Sequence, residues 1–190
     1  MRLALFGLVL AGLLSCKKES AIENSANQDS LSEKTVSENK PLNPNFERIL
    51  EEFPLKSMPV VDSTNFDNEN LLKPLAEADL KELKLDKVFT DGSNFKINSR
   101  YELSPDFKTI SVSFNKGEME ISTELLNFNL QGELIDHIEV AYDEIAESAF
   151  RKSSHISKDK IVLTDENYLE DPAKIQKFTY KILPSGKIQK

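Results

Sequence analysis

The chain has 190 residues, a formal net charge of −8 at pH 7, one cysteine and no tryptophan. A single thiol excludes an internal disulfide and a Cys-x-x-Cys motif, so the folded part has to be stabilised by its apolar core. The acidic balance disfavours nucleic acid and anionic lipid headgroups as partners and favours a protein with a basic surface.

The amino terminus has the pattern of an export signal. Arg2 precedes an apolar run from Leu3 to Leu14. A helix of this length spans about 18 Å, which is too short for a bilayer core of about 30 Å. Such a run is typical of the apolar region of a signal peptide. The sequence therefore predicts a signal peptide over Met1–Ser15.

The only cysteine, Cys16, directly follows Leu13, Leu14 and Ser15. This order resembles the bacterial lipobox: leucine, a variable residue, a small residue and cysteine. The resemblance implies cleavage between Ser15 and Cys16 and lipidation of Cys16 by a diacylglycerol and an acyl chain such as palmitate. Two or more chains give stable membrane anchoring. The alternatives are an ordinary secretory signal with a cysteine at its end and a cytosolic protein with an apolar first helix.

Lys17 follows the cysteine and bears on the membrane reached. Under the proteobacterial sorting rule an aspartate at this position retains a lipoprotein at the inner membrane, so Lys17 favours the outer membrane. Lys17, Lys18 and Glu19 match the acidic surface-export pattern of Bacteroidota lipoproteins only in part. Both periplasmic and surface-exposed placement stay open.

The segment after the cysteine has the composition of a disordered tether. Lys17–Asn45 contains no aromatic residue, and its few apolar residues have no sustained period. Such a segment cannot bury enough surface to offset its ordering entropy. We expect residues 16–45 to form a lipidated tether with a mean reach on the order of 30 Å. A helix from Leu31 to Asn39 is the alternative.

Residues 46–190 are predicted to be a single globular β-rich domain that begins with two short helices. Asn43 suits a helix cap and Pro44 a first helical position. The apolar spacing of the first helix comprises Phe46, Ile49, Leu50 and Phe53, and Pro54 ends it. The second helix is expected over Leu72, Ala76, Leu80 and Leu83. Val60 and Val61 suggest a strand between them.

From Leu85 onward the apolar period changes to two, which is typical of strands with one buried and one wet face. The alternating sets are Phe95, Ile97, Tyr101; Ile110, Val112, Phe114; Leu126, Phe128, Leu130; Ile138, Val140, Tyr142; and Phe178, Tyr180, Ile182. Asp91-Gly92, Lys116-Gly117 and Gln131-Gly132 are expected to form hairpin turns, with further turns at Pro105 and Pro184. We predict a mainly β fold, α+β at the margin: an antiparallel β-meander forming a partial barrel or a sandwich.

Several stretches resemble one group of proteins. They are YELSPDFKTISVSF, LLNFNLQGELIDHIEV and KFTYKILPSGKIQ, which follow the lipobox and the Ser/Asn/Glu-rich tether. This order is similar to that of the small uncharacterised lipoproteins common in Bacteroidota. The resemblance implies an envelope location and supplies neither an activity nor site residues.

The residues give no motif for catalysis or for a metal. His137 and His155 stand apart, and no HxH or HExxH occurs. The acidic stretches at Asp62–Asn70 and at residues 165–171 lack the spacing of a calcium loop. Ser153 and Ser154 precede His155, but sequence adjacency does not make a triad. We therefore predict no catalytic residue, no metal ligand and no cofactor.

Three functions are consistent with these patterns. The first is a non-enzymatic binding module, anchored in the envelope by Cys16 and bound to a protein with a basic surface. The second is an envelope hydrolase with an unrecognised carboxylate pair, since the many acidic residues allow many pairs. The third is an immunity-type inhibitor of a cationic toxin.

Overall fold

The computed structural model describes residues 41–145 and 149–190, within one compact unit, Glu38–Lys190. The predicted signal peptide, the lipidation site at Cys16 and the tether up to residue 40 lie outside the described residues. The end of the predicted tether, residues 41–45, is part of the fold. Leu42 packs against the core, and the Asn43 N–H donates to Leu130 O at 2.9 Å.

Helices occur only in the first part of the described chain, where three short strands lie between them, and the longer strands follow after the last helix. The helices are α1 (Pro44–Glu51), α2 (Glu77–Glu82) and α3 (Leu85–Val88), with a 3₁₀ turn at Glu69–Leu71. The strands are β1 (Leu55–Lys56), β2 (Val60–Asp62), β3 (Lys73–Pro74), β4 (Gly92–Tyr101), β5 (Lys108–Lys116), β6 (Glu120–Phe128), β7 (Leu134–Glu144), β8 (Phe150–Ile156), β9 (Lys160–Asn167), β10 (Lys174–Ile182) and β11 (Ile188–Gln189).

The strands belong to one sheet. From β4 to β11 each strand pairs antiparallel with the next along the chain. The short strands are added at the side: β3 pairs antiparallel and β1 parallel with β4, and β2 pairs antiparallel with β8. The predicted mainly β fold and its antiparallel meander are confirmed, and the strands form one sheet rather than two separate ones.

The sheet curls so that early and late strands share a core. β7 and β8 pair only at Tyr142 with Lys152 and at Asp143 with Arg151. Beyond these pairs the edge of β8 pairs with β2 instead. One apolar cluster joins residues of β4, β6, β8, β9 and β10: Tyr101, Leu125, Ile156, Ile161, Leu163 and Ile182.

A second apolar cluster lies between the helices and strands β4–β6. Helix α1 begins as predicted, with the Asn43 side chain accepting from the Asn45 and Phe46 N–H groups and Pro44 in its first turn. Phe46, Ile49 and Leu50 are at most 2% exposed. Full burial of each such side chain contributes about 1.5–3 kcal/mol, so α1 is fixed mainly by packing.

The second predicted helix is wrong in extent. Lys73 and Pro74 form β3 rather than the start of a helix, and the Leu75 N–H donates to Phe95 O at 2.8 Å. These bonds to β4 outweigh the helical spacing of the leucines. Helix α2 covers only Glu77–Glu82, and α3 occupies the stretch after Leu85 where the strand period was expected to begin.

The prediction of one wet face is wrong for the central strands. Asn98, Ser111, Ser113 and Asn127 are at most 4% exposed, although they alternate with the apolar residues of β4–β6. The curl of the sheet covers this second face. The hydroxyls are satisfied among themselves and by their neighbours, with Ser113 Oγ 2.7 Å from Thr123 Oγ1 and Ser111 Oγ 2.9 Å from Tyr101 Oη.

The turns follow their sequence signals except at one place. Gly117, Gly132 and Gly186 have φ of 67°, 83° and 82°, in the left-handed region that favours glycine. Asp91-Gly92 is not a hairpin turn as predicted, because it joins α3 to β4.

Candidate binding cleft

A cleft of about 430 Å³ opens where β7, β8, β9 and β10 come together. Its size is within the range of small-ligand pockets. Tyr142, Lys152, Asp165 and Gln176 form one row across these strands, because each is the register partner of the next. Residues directly opposite one another point to the same face of a sheet, so the meander alone brings these side chains together.

The inner end of the cleft is a cluster centred on Glu139. Its Oε1 accepts from Lys116 Nζ at 2.9 Å and from Ser122 Oγ at 2.7 Å, and its Oε2 accepts from Lys152 Nζ. Burial acts to raise the pKa of Glu139. The hydrogen bonds from Lys152 and Ser122 and the lysine charges outweigh burial, so the pKa of the carboxyl is lowered. Glu139 is therefore held as an anion with both oxygens occupied.

A second carboxylate lies beside this cluster. Glu124 is the register partner of Glu139 and is 6% exposed. Its Oε2 is 3.0 Å from His137 Nδ1, and the His137 ring packs edge-on against Phe89. The hydrogen bond to Glu124 raises the pKa of His137 against the opposing effect of burial. His137 therefore has a defined partner, but its imidazole is tied to a carboxylate and not to a nucleophile.

The mouth of the cleft is partly aromatic. Phe150 is 42% exposed, and Tyr142 donates from its hydroxyl to Glu144 Oε2 at 3.1 Å. Burial and the bond to Glu144 raise the pKa of the Tyr142 phenol. The tyrosine therefore stays neutral and offers a ring face and a hydroxyl to a ligand.

Asp165 differs from the other acids of the cleft. Its Oδ1 is buried and has no hydrogen-bond partner within the described residues. Its register partners are Lys152, which is bonded to Glu139, and Gln176. A buried carboxylate oxygen without a partner is costly, so a donor group from a bound molecule would be favourable there.

The strands that line the cleft are tied to the loop after β2. Asp143, 3% exposed, accepts from Arg151 Nε at 3.0 Å and from the Phe66 N–H at 3.3 Å. The hydrogen bond to Asp143 raises the pKa of Arg151. This ion pair lies at the narrow junction of β7 and β8 and holds the Asp62–Asn70 loop against it.

The acidic stretches considered in the sequence serve separate structural roles. Asp62 accepts from the N–H and hydroxyl of Thr64 and from the Asn98 side chain, and Asn65 and Asn68 bond to each other's backbone N–H groups. Glu170 lies 3.9 Å from Lys174. Within residues 41–145 and 149–190, no three His, Cys, Asp or Glu side chains come together as they would to bind a metal.

The serine and histidine residues of β8 do not form a nucleophilic site. Ser153, Ser154 and His155 are successive residues of one strand, so their side chains alternate between its faces. Ser154 Oγ is buried without a partner among the described residues, whereas His155 is exposed opposite Val61.

Sequence reasoning missed Glu139, Lys116 and Lys152. They lie on three different strands and belong to no local motif. Only the strand register, with its irregularity between Thr123 and Glu124, places them together.

No protein-family model matches the chain, and neither a curated protein nor a solved structure matches it. Among the described residues, no helix has both the length and the apolarity to cross a membrane.

Proposed function

We propose that the chain is a lipid-anchored, non-enzymatic binding module of the bacterial envelope. In this proposal lipidated Cys16 holds the domain at the outer membrane, and the cleft between β7 and β10 binds its partner. The observation that carries the binding role is the state of Glu139: this carboxylate of the cleft is bonded to two lysines and a serine.

The electrostatics of Glu139 favour recognition over proton transfer. A general acid at neutral pH needs a raised carboxyl pKa, and a general base needs a free oxygen facing the substrate. The pKa of Glu139 is lowered, and both of its oxygens accept bonds from the protein. The fixed charges can instead orient a polar ligand, with the Tyr142 and Phe150 rings supplying apolar contact.

One observation favours a second candidate, the envelope hydrolase. Glu139 and Asp165 both line the cleft, and Asp165 has a free buried oxygen. A pair of carboxylates in one cleft is the arrangement that glycoside hydrolysis uses. The two candidates differ in a measurable way: a hydrolase turns over ester, glycoside or peptide substrates and loses that activity in Asp165→Asn, whereas a binding module is silent in both forms.

The anchor is tested by labelling cells with an alkyne fatty acid. We expect the label on the wild-type chain and on Ser30→Ala, a matched change in the predicted tether, and its loss in Cys16→Ala. Equal labelling of Cys16→Ala would contradict lipidation at this residue. Protease treatment of intact cells that carry a tag after Lys190 then distinguishes surface-exposed from periplasmic placement, because the tag is lost only if the domain is exposed at the surface.

The cleft is tested by photocrosslinking in the same cells. A crosslinking residue at Gln176 faces the cleft, and one at Lys87 on α3 serves as the control. We expect a discrete product from Gln176 only, reduced by Asp165→Ala. No product from Gln176, or the same product from Lys87, would count against the cleft as the binding site.

A further inference from the structure

Strand β10 has an open edge. On one side it pairs with β9 from Lys174 to Lys181, and on the other it pairs with β11 only at Lys181 and Ile182. Between Lys174 and Tyr180 its outward N–H and C=O groups meet no backbone partner among the described residues. An unpaired strand edge is a template for the addition of another strand.

This edge is also basic. Lys174, Lys177 and Lys181 are exposed along β10, and exposed Lys160 is the register partner of Lys181. Lys160, Lys177 and Lys181 form no ion pair with the described part of the chain. The chain as a whole carries a charge of −8, so these lysines are a local concentration of positive charge.

The positive charge of the β10 lysines distinguishes between the molecules that could pair with this open edge. Edge lysines oppose the pairing of β10 with a second copy of itself, because like charges would then face each other across the new ladder. A strand that carries glutamate or aspartate would be attracted by the same lysines. A lipid surface would match the charge but would leave the backbone groups of the edge without partners.

We propose that β10 binds an extended acidic peptide segment of a partner protein by strand addition. This rests on the proposed function, because it names the partner class for the surface that includes the cleft. Lys174 and Gln176 line the cleft, while Ile175 and Lys177 lie on the opposite face. The backbone of the partner supplies hydrogen bonds, and its alternate side chains contact the cleft on one face and Lys177 with Ile175, 58% exposed, on the other.

The test uses the full chain in detergent and a labelled, extended peptide of about ten residues in which Glu and Val alternate, so that each residue type occupies one face of the added strand. Fluorescence anisotropy should show binding that weakens with added salt. The same peptide N-methylated at four successive residues keeps its charge but loses the donors of both edges. We expect its affinity to fall by at least about tenfold, since main-chain bonds supply the affinity in this mode.

Variants of the protein test the charge. Lys177→Glu with Lys181→Glu should weaken binding of the unmodified peptide by about tenfold, whereas Lys87→Glu, an exposed lysine on α3, should not change it. Equal binding of the N-methylated peptide would overturn strand addition. Binding to phosphatidylglycerol vesicles without binding to the peptide would assign the edge to lipid.

Two further outcomes separate this inference from the proposed function. If the peptide bound only after deletion of residues 17–40, the open edge of β10 would be the binding site of that segment of the same chain. This result would overturn the proposal that a partner protein binds there. Absence of peptide binding, together with a discrete crosslink from Gln176, would overturn strand addition by an acidic segment and leave the binding module standing. Absence of both would count against the two proposals together.

Discussion

Glu124 and Glu139 are direct cross-strand partners on β6 and β7. Two carboxylates in this position repel each other. Each has its own partner: His137 lies at 3.0 Å from Glu124, and Lys116 with Lys152 binds Glu139. Each carboxylate is therefore compensated by its own cationic partner, and at Glu124 the compensation depends on the protonation of His137.

Removing the charge of Glu139 should destabilise the fold. Glu139→Gln leaves two partly buried lysines without their anion, and we expect a loss of about 2 kcal/mol in the free energy of unfolding. Urea unfolding at neutral pH measures it. Glu77→Gln breaks an exposed pair with Lys81 on α2 and should give no measurable change. Equal losses in the free energy of unfolding for the two variants would show that the Glu139 cluster contributes no more to stability than an exposed ion pair.

Stability should fall as the pH rises above the ordinary pKa of histidine, because of His137. Its pKa is raised from the ordinary 6.5, chiefly by the hydrogen bond to Glu124. The stabilisation is therefore fully present below the unfolded pKa and is lost as the pH rises through the folded pKa. Urea unfolding across this window should show the slope in the wild type. His137→Gln and Glu124→Gln should both reduce it, and a slope unchanged in both would rule out this pair as its source.

Asp143→Ala should be among the more damaging single changes. It leaves Arg151 and the Phe66 N–H without their acceptor at the narrow β7–β8 junction. The Arg151 side chain is 44% exposed and regains solvent, so we expect a loss of about 1–2 kcal/mol, chiefly from the Phe66 N–H left without an acceptor. Thermal unfolding followed by circular dichroism measures the loss, with Asp86→Ala on α3 as an exposed control. A similar melting temperature for the two variants would contradict the structural role of Asp143.

Two glycines separate backbone strain from packing. Gly117 and Gly132 both have positive φ, so alanine at either position costs about 1–2 kcal/mol from the backbone. A Cβ at Gly117 would have no neighbour within 4 Å, whereas at Gly132 it would lie 3.1 Å from Phe46 Cγ. We expect Gly132→Ala to be the more destabilising in urea unfolding. The reverse order would mean that Phe46 moves aside freely.

The sequence predicts the elements whose signals are local. Helix α1 has its cap, proline and apolar spacing in one stretch, and β5 and β10 have clear alternation. Strand β8 escaped prediction because Phe150–Ile156 is largely polar and one of its neighbours, β2, is far away in the chain. The helix expected to begin at Leu72 does not form there, because Lys73 and Pro74 pair with β4, which the local sequence does not reveal.

The cleft could not be predicted because its residues meet only through register. Glu139 is 23 residues from Lys116 and 13 residues from Lys152. An irregularity between Thr123 and Glu124 shifts the β6–β7 ladder at this point. A shift of one residue exchanges the faces of a strand, so alternation alone cannot say which acid faces which lysine.

The short strands at the start of the described chain constrain the order of folding. Strand β2 pairs with β8, through Val60 with Ile156, Val61 with His155 and Asp62 with Ser154. Strand β8 is synthesised much later than β2. A chain that emerges from its amino terminus therefore holds β2 unpaired until β8 has appeared. Contacts between such distant segments form slowly, because the long loop must close before they are gained. We therefore expect the meander from β4 to β7 to assemble before β2 pairs with β8.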